Sequence, residues 1–257
     1  MRHCILIPTY NNEKTLSSVI DRSLSECADV IVVNDGSTDG TMSILSGYGE
    51  RIDVVSYHRN RGKGYALKKG LKHAKARGFR YAITLDSDGQ HFPEDCRALL
   101  GAMEDALLDV KHYHDEDALR DVKHYHVVGC RNLAADGMPR ENSFANRFSN
   151  FWFRVQTGLS LPDTQSGYRL YDLDALPSFC FVTNRYESEL ELLVYSVWRG
   201  VKVIPVPVRV FYAPENERVS HFRPFMDFFR ISVLNTVLCF AAILYGYPRM
   251  LIKKIIK

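Results

Sequence analysis

The sequence has few of the features that mark a disulfide-rich, exported or nucleic-acid-binding protein. It contains six cysteines, and no two of them form a Cys-x-x-Cys pair. Scattered cysteines within apolar runs are typical of reduced, buried thiols, so we expect neither a disulfide framework nor a zinc site. The 33 basic and 30 acidic side chains leave a net charge of +3, which is too balanced to favour nucleic acid as a partner.

The N-terminus also lacks a long hydrophobic run. Only the four apolar residues Cys4–Ile7 separate His3 from Pro8, and this is too short for the core of a signal peptide. We therefore expect a chain that is not exported. Its 257 residues, 46% of them hydrophobic, suffice for one large domain or one domain with a short appendage.

What the sequence does contain is an alternation of strand-like and helix-like segments. The strand-like runs are His3–Ile7, Val30–Val33, Ile52–Tyr57, Tyr81–Leu85 and Val127–Cys130. The helix-like stretches between them are Thr15–Leu24, Thr38–Leu45, Gly64–Ala76 and Pro93–Leu108. This order predicts an α/β fold in which a mostly parallel sheet carries helices on both faces.

Polar clusters follow three of the predicted strands, and ligands of such sheets bind beyond the carboxyl ends of the strands. The clusters are Pro8–Glu13, Asn34–Asp39 and Asp86–His91. We expect them to meet at one edge of the sheet. Asn34–Asp39 could also be no more than a turn and a helix cap, whereas a functional Asp35 would accept hydrogen bonds from a nucleobase.

The cluster Asp86–His91 is the most informative of the three. Asp86 and Asp88 stand one residue apart and repel each other unless a cation lies between them. Gln90 adds a neutral oxygen, and a set of oxygen ligands suits Mg²⁺ or Mn²⁺ shared with substrate phosphates. We predict a metal site at these three residues and a nucleotide diphosphate in the substrate; the alternative is an Asp-rich turn.

Four ordered motifs together resemble glycosyltransferase family 2. They are Pro8–Asn11, Val33–Thr41, Asn60–Gly64 and Asp86–His91. The form of the last motif is similar to that of dolichyl-phosphate and polyprenyl-phosphate sugar transferases, and the match runs in motif order up to about residue 210. The resemblance implies an A-type nucleotide-sugar-binding fold, inversion at the anomeric carbon and a divalent metal. One departure is Asn34, where the family commonly has an acid.

The resemblance also implies roles for single residues. Asp86, Asp88 and Gln90 would hold the metal on the diphosphate, which is linked to guanosine or uridine. The residues expected to bind the nucleotide are Pro8, Tyr10, Asn11, Glu13, Asp35 and Lys63. Taken from the residues alone, Arg61–Gly64 could hold a phosphate at the start of a helix, but a glycine turn is the simpler interpretation.

Downstream, Gly129–Arg131 and Asp163–Arg169 resemble the lipid-phosphate transferase pattern. The planar fork of arginine grips phosphate oxygens in a fixed direction, so we predict that Arg131 and Arg169 bind an acceptor phosphate. The alternative is that either arginine pairs with Asp163 as a structural bridge. Further candidates for the acceptor phosphate, or for the membrane surface, are Arg218, His221 and Arg223.

The predicted reaction is an in-line attack on the sugar by a lipid monophosphate, with Asp88, Arg131, Asp163 and Arg169 as catalytic residues. Such a phosphate, with a second pKa of about 6, is already an anionic nucleophile and needs no strong base. The Gln-x-x-Arg-Trp motif of processive synthases is absent, so we expect one sugar per cycle.

Two alternatives remain at this point. A transferase that acts on the hydroxyl of a sugar or of a lipid-linked sugar would need a general base, for which Asp163 is the best candidate and Glu187 and Glu189 are weaker ones. A non-catalytic nucleotide-sugar-binding protein would keep the fold without turnover.

The C-terminal part differs in composition from the rest. We expect residues 1–216 to form the catalytic domain and residues 217–257 a basic and apolar tail that contacts a membrane on its cytoplasmic face. The apolar run Ile231–Tyr247 has basic residues on both sides and is at the lower limit for spanning a bilayer, so an interfacial helix is an equal possibility. The alternative is a buried core helix or a dimer contact.

One short segment is duplicated. Residues 105–114 recur as 117–126 with a single difference, Leu108 against Arg120. We expect the extra copy within 105–126 to bulge at the surface and its histidines to be solvated rather than metal-binding. These are His112, His114, His124 and His126.

Overall fold

The computed structural model describes residues 1–112, 124–132, 140–176, 183–212 and 224–255. Strands and helices alternate along most of the chain. The strands are β1 (His3–Thr9), β2 (Val30–Asn34), β3 (Asp53–Ser56), β4 (Tyr81–Thr84), β5 (Tyr125–Cys130), β6 (Arg169–Asp172) and β7 (Lys202–Pro207). The helices are α1 (Leu16–Glu26), α2 (Thr41–Tyr48), α3 (Lys63–Ala76), α4 (Cys96–His112), α5 (Arg140–Thr157), α6 (Glu187–Trp198), α7 (Pro224–Ala241) and α8 (Tyr247–Ile255).

The strands form one mixed sheet in the order β3-β2-β1-β4-β6-β5-β7. All neighbouring strands are parallel except β6, which is antiparallel to both β4 and β5. The predicted mostly parallel α/β sheet is thus confirmed. Because β6 runs in the opposite direction, its first residue lies at the edge where β1 and β4 end.

Alternating residues of the central strand β1 reach two different cores. Ile5 and Ile7 belong to a cluster with Leu16 of α1 and Leu99 of α4. Leu6 points the other way, into a cluster that includes residues of α3. The strand period of two therefore buries both faces of the sheet under helices, as the sequence predicts.

The five predicted strands and four predicted helices are all present, with ends that differ by a few residues. The second predicted helix begins at Thr41 rather than Thr38. The elements that the sequence pattern does not predict include α5, α6 and the short strand β6. Arg169, the last residue of the motif Asp163–Arg169, is the first residue of β6.

The duplicated segment begins within α4 and ends in β5, and its centre, 113–123, lies outside the described residues. The expectation that His126 is solvated is wrong. His126 lies in β5, 1% exposed, with its Nε2 3.1 Å from Ser196 Oγ. Burial lowers the pKa of His126 to about 4, so the imidazole is neutral. The predicted strand begins at Val127, two residues after the observed start of β5, and so leaves His126 out.

The C-terminal helices α7 and α8 are joined by one π-helical turn into a continuous helix. Its segment Phe229–Ile252 is long and apolar enough to cross a membrane, and a third of its most apolar stretch is buried in the protein (33%). Leu234 and Leu238 pack in a third core cluster with Phe153 and Trp198. The helix is therefore part of the described domain, and the expected boundary at 216/217 falls outside the described residues.

Candidate active site

The loops after β1 and β2 are tied to each other at the edge of the sheet. Asn11 has a φ of +51° and accepts a hydrogen bond from the Thr38 N–H through its Oδ1 at 2.8 Å. Glu13 accepts one from the Gly40 N–H at 2.6 Å. The predicted nucleotide ligands Asn11 and Glu13 therefore also fix the shape of this edge. Pro8 is buried within β1, and Tyr10 follows it half-buried.

Asp35 braces the loop that precedes α3. Its two carboxylate oxygens accept hydrogen bonds from the N–H groups of Arg61 and Gly62, both at 2.8 Å, and the residue is 2% exposed. Gly62 has a φ of +98°, a conformation that favours glycine. A nucleobase could reach Asp35 only as a second donor to one of these oxygens, each of which has two lone pairs.

The motif after β4 turns its middle residue inward and leaves its two acids half-buried on either side. Ser87 is 3% exposed, accepting hydrogen bonds from the Asn12 side chain at its Oγ and from Thr15 Oγ1 at its carbonyl, both at 2.6 Å. Burial and the neighbouring Asp86 carboxylate raise the pKa of Asp88 to about 6. The predicted repulsion between the two acids is thus expressed in the proton affinity of Asp88.

A lysine ammonium stands beside Asp86. The Nζ of Lys63, from the first turn of α3, lies 2.6 Å from Asp86 Oδ1 and 3.1 Å from Glu189 Oε2 of α6. Burial alone would lower the pKa of Lys63, but the two carboxylates raise it, so the amine is charged. From the sequence, Glu189 is only a weak candidate for a general base. Its contact with Lys63 depends on how α3 and α6 pack, which the spacing of residues in the sequence does not encode.

The loop before β6 lies directly against this ion pair. A methyl group on Gly167 would be 2.7 Å from Asp86 Oδ2 and 2.9 Å from Lys63 Nζ. The Gly167 carbonyl accepts a hydrogen bond from Thr84 Oγ1 at 2.8 Å. Two motifs that are more than 70 residues apart in sequence are thus held in contact, as expected for parts of one site.

Arg131 and Asp163 form a two-pronged ion pair at the end of β5. Arg131 Nε is 2.6 Å from Asp163 Oδ2, and its Nη2 is 3.0 Å from Oδ1. The Arg131 side chain remains 17% exposed, while that of Asp163 is fully buried. The structural bridge weighed in the sequence analysis is therefore present, although Arg131 keeps some access to solvent.

Asp163 is a poor general base in this setting. Burial would raise its pKa, but hydrogen bonds from Arg131 and Asn146 outweigh that effect and lower it. Asn146 Nδ2 donates to Asp163 Oδ1 at 2.5 Å, and the N–H groups of Gln165 and Ser166 donate to the same oxygen at 3.1 Å. Asn146 is a positioning residue for which the sequence offered no signal.

The prediction that Arg169 contacts the acceptor phosphate disagrees with the structure. Arg169 is fully buried, and its guanidinium donates to the carbonyls of Thr164, Ser166 and Glu189 at 2.7 to 2.8 Å. Its donors hold the loop before β6 and the start of α6 together. Burial distinguishes it from Arg131, and a motif does not report burial.

His91 is the last residue of the motif Asp86–His91, and its buried ring packs behind the site. It is 4% exposed, with its ring 5.2 Å from that of Tyr168, and its Nδ1 is 3.4 Å from the Asp86 N–H. Burial lowers its pKa to about 4, so it is a neutral acceptor. The other acceptor candidates, Arg218, His221 and Arg223, lie outside the described residues.

The donor set at this edge fits a divalent cation that is shared with a substrate. Asp86, Asp88 and Gln90 supply only oxygen side-chain ligands, as Mg²⁺ and Mn²⁺ prefer. Within the described ranges, no three His, Cys, Asp or Glu side chains cluster closely enough to hold a metal by themselves. Two carboxylates with open positions suit a cation whose remaining ligands come from phosphate.

Comparisons with known proteins show which sequences and folds the chain is similar to. The chain is 29% identical over 216 residues to the glycosyltransferase AglJ of Haloferax volcanii, covering 82% of this chain and 64% of that protein. It is 27% identical over 229 residues to the UDP-N-acetylglucosamine–dolichyl-phosphate N-acetylglucosaminyltransferase of Methanococcus voltae, covering 81% and 85% respectively.

A solved structure shares the fold. Mannosyl-3-phosphoglycerate synthase from Rubrobacter xylanophilus superposes with a TM-score of 0.60 over 99% of this chain and 75% of that chain, at 19% identity. The sequence pattern described as Glycosyl transferase family 2 matches residues 4–176. The protein therefore belongs to glycosyltransferase family 2, the family its motifs resemble.

Proposed function

We propose that this protein transfers one sugar, with inversion, from a nucleotide-diphosphate sugar to a polyprenyl-phosphate-type lipid, with Mg²⁺ or Mn²⁺ as cofactor. The observation that carries the proposal is the meeting of Asp86 with the loop before β6, because it brings the predicted metal ligands close to the Arg131–Asp163 pair. The Methanococcus voltae relative, whose name gives UDP-N-acetylglucosamine and dolichyl phosphate as its substrates, supports the same chemistry.

At the donor end, Asp86, Asp88 and Gln90 would hold the metal. When bound, that cation would neutralise the charge that builds on the departing nucleotide diphosphate. Lys63 supplies a second positive charge 2.6 Å from Asp86, which would turn to the same phosphates once the metal takes over that carboxylate. The loops after β1 and β2, with Tyr10 and Asp35, would hold the nucleoside.

At the acceptor end, the partly exposed Arg131 would orient the lipid phosphate. An ionised phosphate oxygen attacks the anomeric carbon, the bond to the diphosphate breaks, and no proton needs to be removed. The lowered pKa of Asp163 favours this acceptor over a hydroxyl, since a carboxylate that binds protons weakly is a poor base for one. Asp163 instead holds Arg131 in place.

We further propose that the protein works at the cytoplasmic face of a membrane. The apolar segment Phe229–Ile252 and the lipid acceptor in the name of a relative support association with a membrane. Nucleotide sugars and the loops that would bind them then share the aqueous side, while the acceptor comes from the bilayer.

The test is nucleotide release by the purified protein with Mn²⁺, over GDP- and UDP-sugars, with and without dolichyl or undecaprenyl phosphate. We expect release from one donor class that requires both the metal and the lipid phosphate. The variant Asp88→Asn replaces a carboxylate that is predicted to bind the metal by a neutral amide of almost the same volume. It should abolish nucleotide release without unfolding the protein. Lipid-independent release would point to a hydroxyl acceptor, and no release from any donor would favour the binding-only alternative.

A further inference from the structure

Many of the exposed large apolar side chains in the described part of the chain lie on two neighbouring elements, the helix α5 and the continuous helix α7–α8. On the α5 side they are Phe144, Phe151 and Val155, with Leu159 just beyond the helix. On the other side they are Phe229, Val233, Val237, Phe240, Ile243 and Leu244. We call these residues the apolar face.

Helical spacing accounts for both halves of the apolar face. Phe144, Phe151 and Val155 follow each other at seven and four residues and so share one side of α5, while Asn146 and Phe153 on the opposite side are fully buried. Phe144 and Phe151 are 60% and 59% exposed. A soluble surface gains nothing from two phenylalanines at that exposure, which indicates an interaction site.

The two halves adjoin because polar contacts join α5 to α7–α8, one of them buried and one exposed. Gln156 Nε2 donates to Asn235 Oδ1 at 3.0 Å in the interior, and the Tyr247 hydroxyl donates to the carbonyl of Val155. Gly246 lies against the Trp198 ring, where a methyl group would be 2.5 Å from Cε2. The C-terminal helix is thus fixed to the domain along one side and exposed along the other.

This packing opposes a crossing of the bilayer by α7–α8. A spanning helix would have to leave the domain and uncover Trp198 and Phe153, both fully buried. A helix that is apolar on one side and packed against its own domain on the other has the properties of an interfacial helix. The apolar face then meets lipid while the buried side stays in place.

Charge identifies the partner. No acidic residue occurs between Glu141 and Asp163, where Arg147 and Arg154 lie, nor after Asp227, where five basic residues follow. Arg147 and Arg154 are both exposed beside the apolar face. An apolar face with a basic surround matches an anionic lipid surface, whereas a second copy of the chain would bring like charges together.

We propose that the apolar face of α5 and α7–α8 docks flat on one leaflet of an anionic lipid membrane. The inference rests on the proposed function for its purpose, since the buried side of α5 carries Asn146, which holds the Asp163 that binds Arg131. One helix thereby joins the lipid surface to the residue expected to bind the lipid phosphate. The docking itself requires only the membrane, with no acceptor in it.

The first test is flotation of the full chain with vesicles of phosphatidylcholine, with and without phosphatidylglycerol, and without polyprenyl phosphate. We expect binding that increases with the anionic lipid, and a loss of about tenfold in the partition coefficient for the double variant Phe144→Gln, Phe151→Gln. The matched control Leu108→Gln replaces a residue on α4 that is 50% exposed outside the face and should bind as the unaltered protein does. Equal binding of all three proteins would overturn the proposal.

The second test uses the tryptophans, of which the chain has two. Trp198 is fully buried, while Trp152 lies half-buried next to Phe151, their rings 5.3 Å apart. Quenching by lipids brominated near the head group should therefore exceed quenching by lipids brominated at the chain end. No quenching, or a lipid-free dimer that the double variant dissociates, would contradict the docking.

A failure of docking and a failure of the proposed function are distinguishable. The double variant should retain the donor-dependent turnover of the unaltered protein with a short, water-soluble isoprenyl phosphate, because its side chains lie outside the site. Loss of vesicle binding with that activity retained supports the proposal. If docking holds while no donor supports transfer, only the proposed function fails.

Discussion

At the scale of single residues, Lys63 pairs with two carboxyl groups of one site, those of Asp86 and Glu189. The ammonium lies between Asp86 and Glu189, at 2.6 and 3.1 Å, and so offsets part of their charge before any substrate arrives. A divalent cation at the proposed site would have to compete with that ammonium for Asp86. Glu189 shares the lysine and should make Asp86 easier to release.

This competition predicts opposite effects for two substitutions. Lys63→Met should tighten Mn²⁺ binding to the donor-free protein by about tenfold or less and weaken nucleotide-sugar binding, whereas Glu189→Gln should weaken Mn²⁺ binding, since Coulomb energies at partly buried sites are of this order. Electron paramagnetic resonance titration of Mn²⁺ measures both. Lys72→Met, on the exposed side of α3, is the control and should change neither. Equal Mn²⁺ affinity in all four proteins would refute the competition.

Arg131 carries the prediction for the acceptor. Arg131→Ala should raise the KM for lipid phosphate more than the KM for the nucleotide sugar, because the proposed role of the Arg131 guanidinium is to orient the acceptor phosphate. In the structure this guanidinium pairs with the buried Asp163, which the substitution would leave without its cation. The measurement is the KM for each of the two substrates, made on one preparation of the variant whose fold has been checked. A similar loss for both substrates would remove Arg131 from the acceptor site.

Gly167 tests whether the contact between the two halves of the site matters. Gly167→Ala places a methyl group within 3 Å of both Asp86 and Lys63, so those side chains must move, and we expect kcat to fall by about 100-fold with a small change in stability. Gly101→Ala has no atom within 4 Å of the added methyl and serves as the control. Retained turnover in Gly167→Ala would mean that the ion pair adjusts without consequence.

At the scale of elements, the close contact between the C-terminal helix and Trp198 makes the helix part of the fold. Gly246→Ala should lower the free energy of unfolding by about 1–3 kcal/mol, because the methyl would overlap the indole ring. Gly47→Ala on α2, with open space around it, is the matched control. Chemical denaturation of both variants checks this, and equal stabilities would mean that the helix is only loosely attached.

Elements with strong periodicity could be predicted from the sequence, and short or two-sided ones could not. The strands β1, β2 and β4 are apolar runs that end in polar clusters. This pattern was enough to predict the sheet and to place Asp86 and Asp88 at the end of a strand. The strand β6 has four residues and begins with a buried arginine, and its direction depends on pairing with distant strands.

The same limit applies within the site. The motifs predict that Lys63, Arg131 and Arg169 bind phosphate groups of the substrates, but the motifs do not report how buried each side chain is. Arg131 is partly exposed, whereas the guanidinium of Arg169 donates its hydrogen bonds to backbone carbonyls. Glu189 joins the site only because α6 packs across from α3, a contact that no local pattern encodes.

At the scale of the whole molecule, two buried neutral histidines couple stability to pH. Burial lowers the pKa of His91 and His126 to about 4, below the unfolded value of about 6.5, so the unfolded chain binds more protons between these values. Stability is therefore complete above pH 6.5 and declines as the pH falls toward 4, by on the order of 2–3 kcal/mol for each histidine.

Unfolding measured from pH 7.5 to 4.5 checks this linkage. His126→Asn should flatten the pH dependence by roughly half while lowering stability at neutral pH, and His58→Asn, which replaces an exposed histidine, should leave the slope unchanged. A slope that His126→Asn does not alter would assign the pH dependence to other groups.

Because β6 runs antiparallel to its neighbours, its two ends lie in different surroundings. In four residues the chain passes from Arg169, beside the site, to Asp172, which pairs with Arg80 at the far edge of the sheet together with Asp174. Neighbours in sequence are thus separated by the whole depth of the sheet, roughly 10 Å. A fluorescent label at Asp174, 47% exposed in its side chain, would therefore serve as a handle for immobilisation or single-molecule work that leaves the substrate side open.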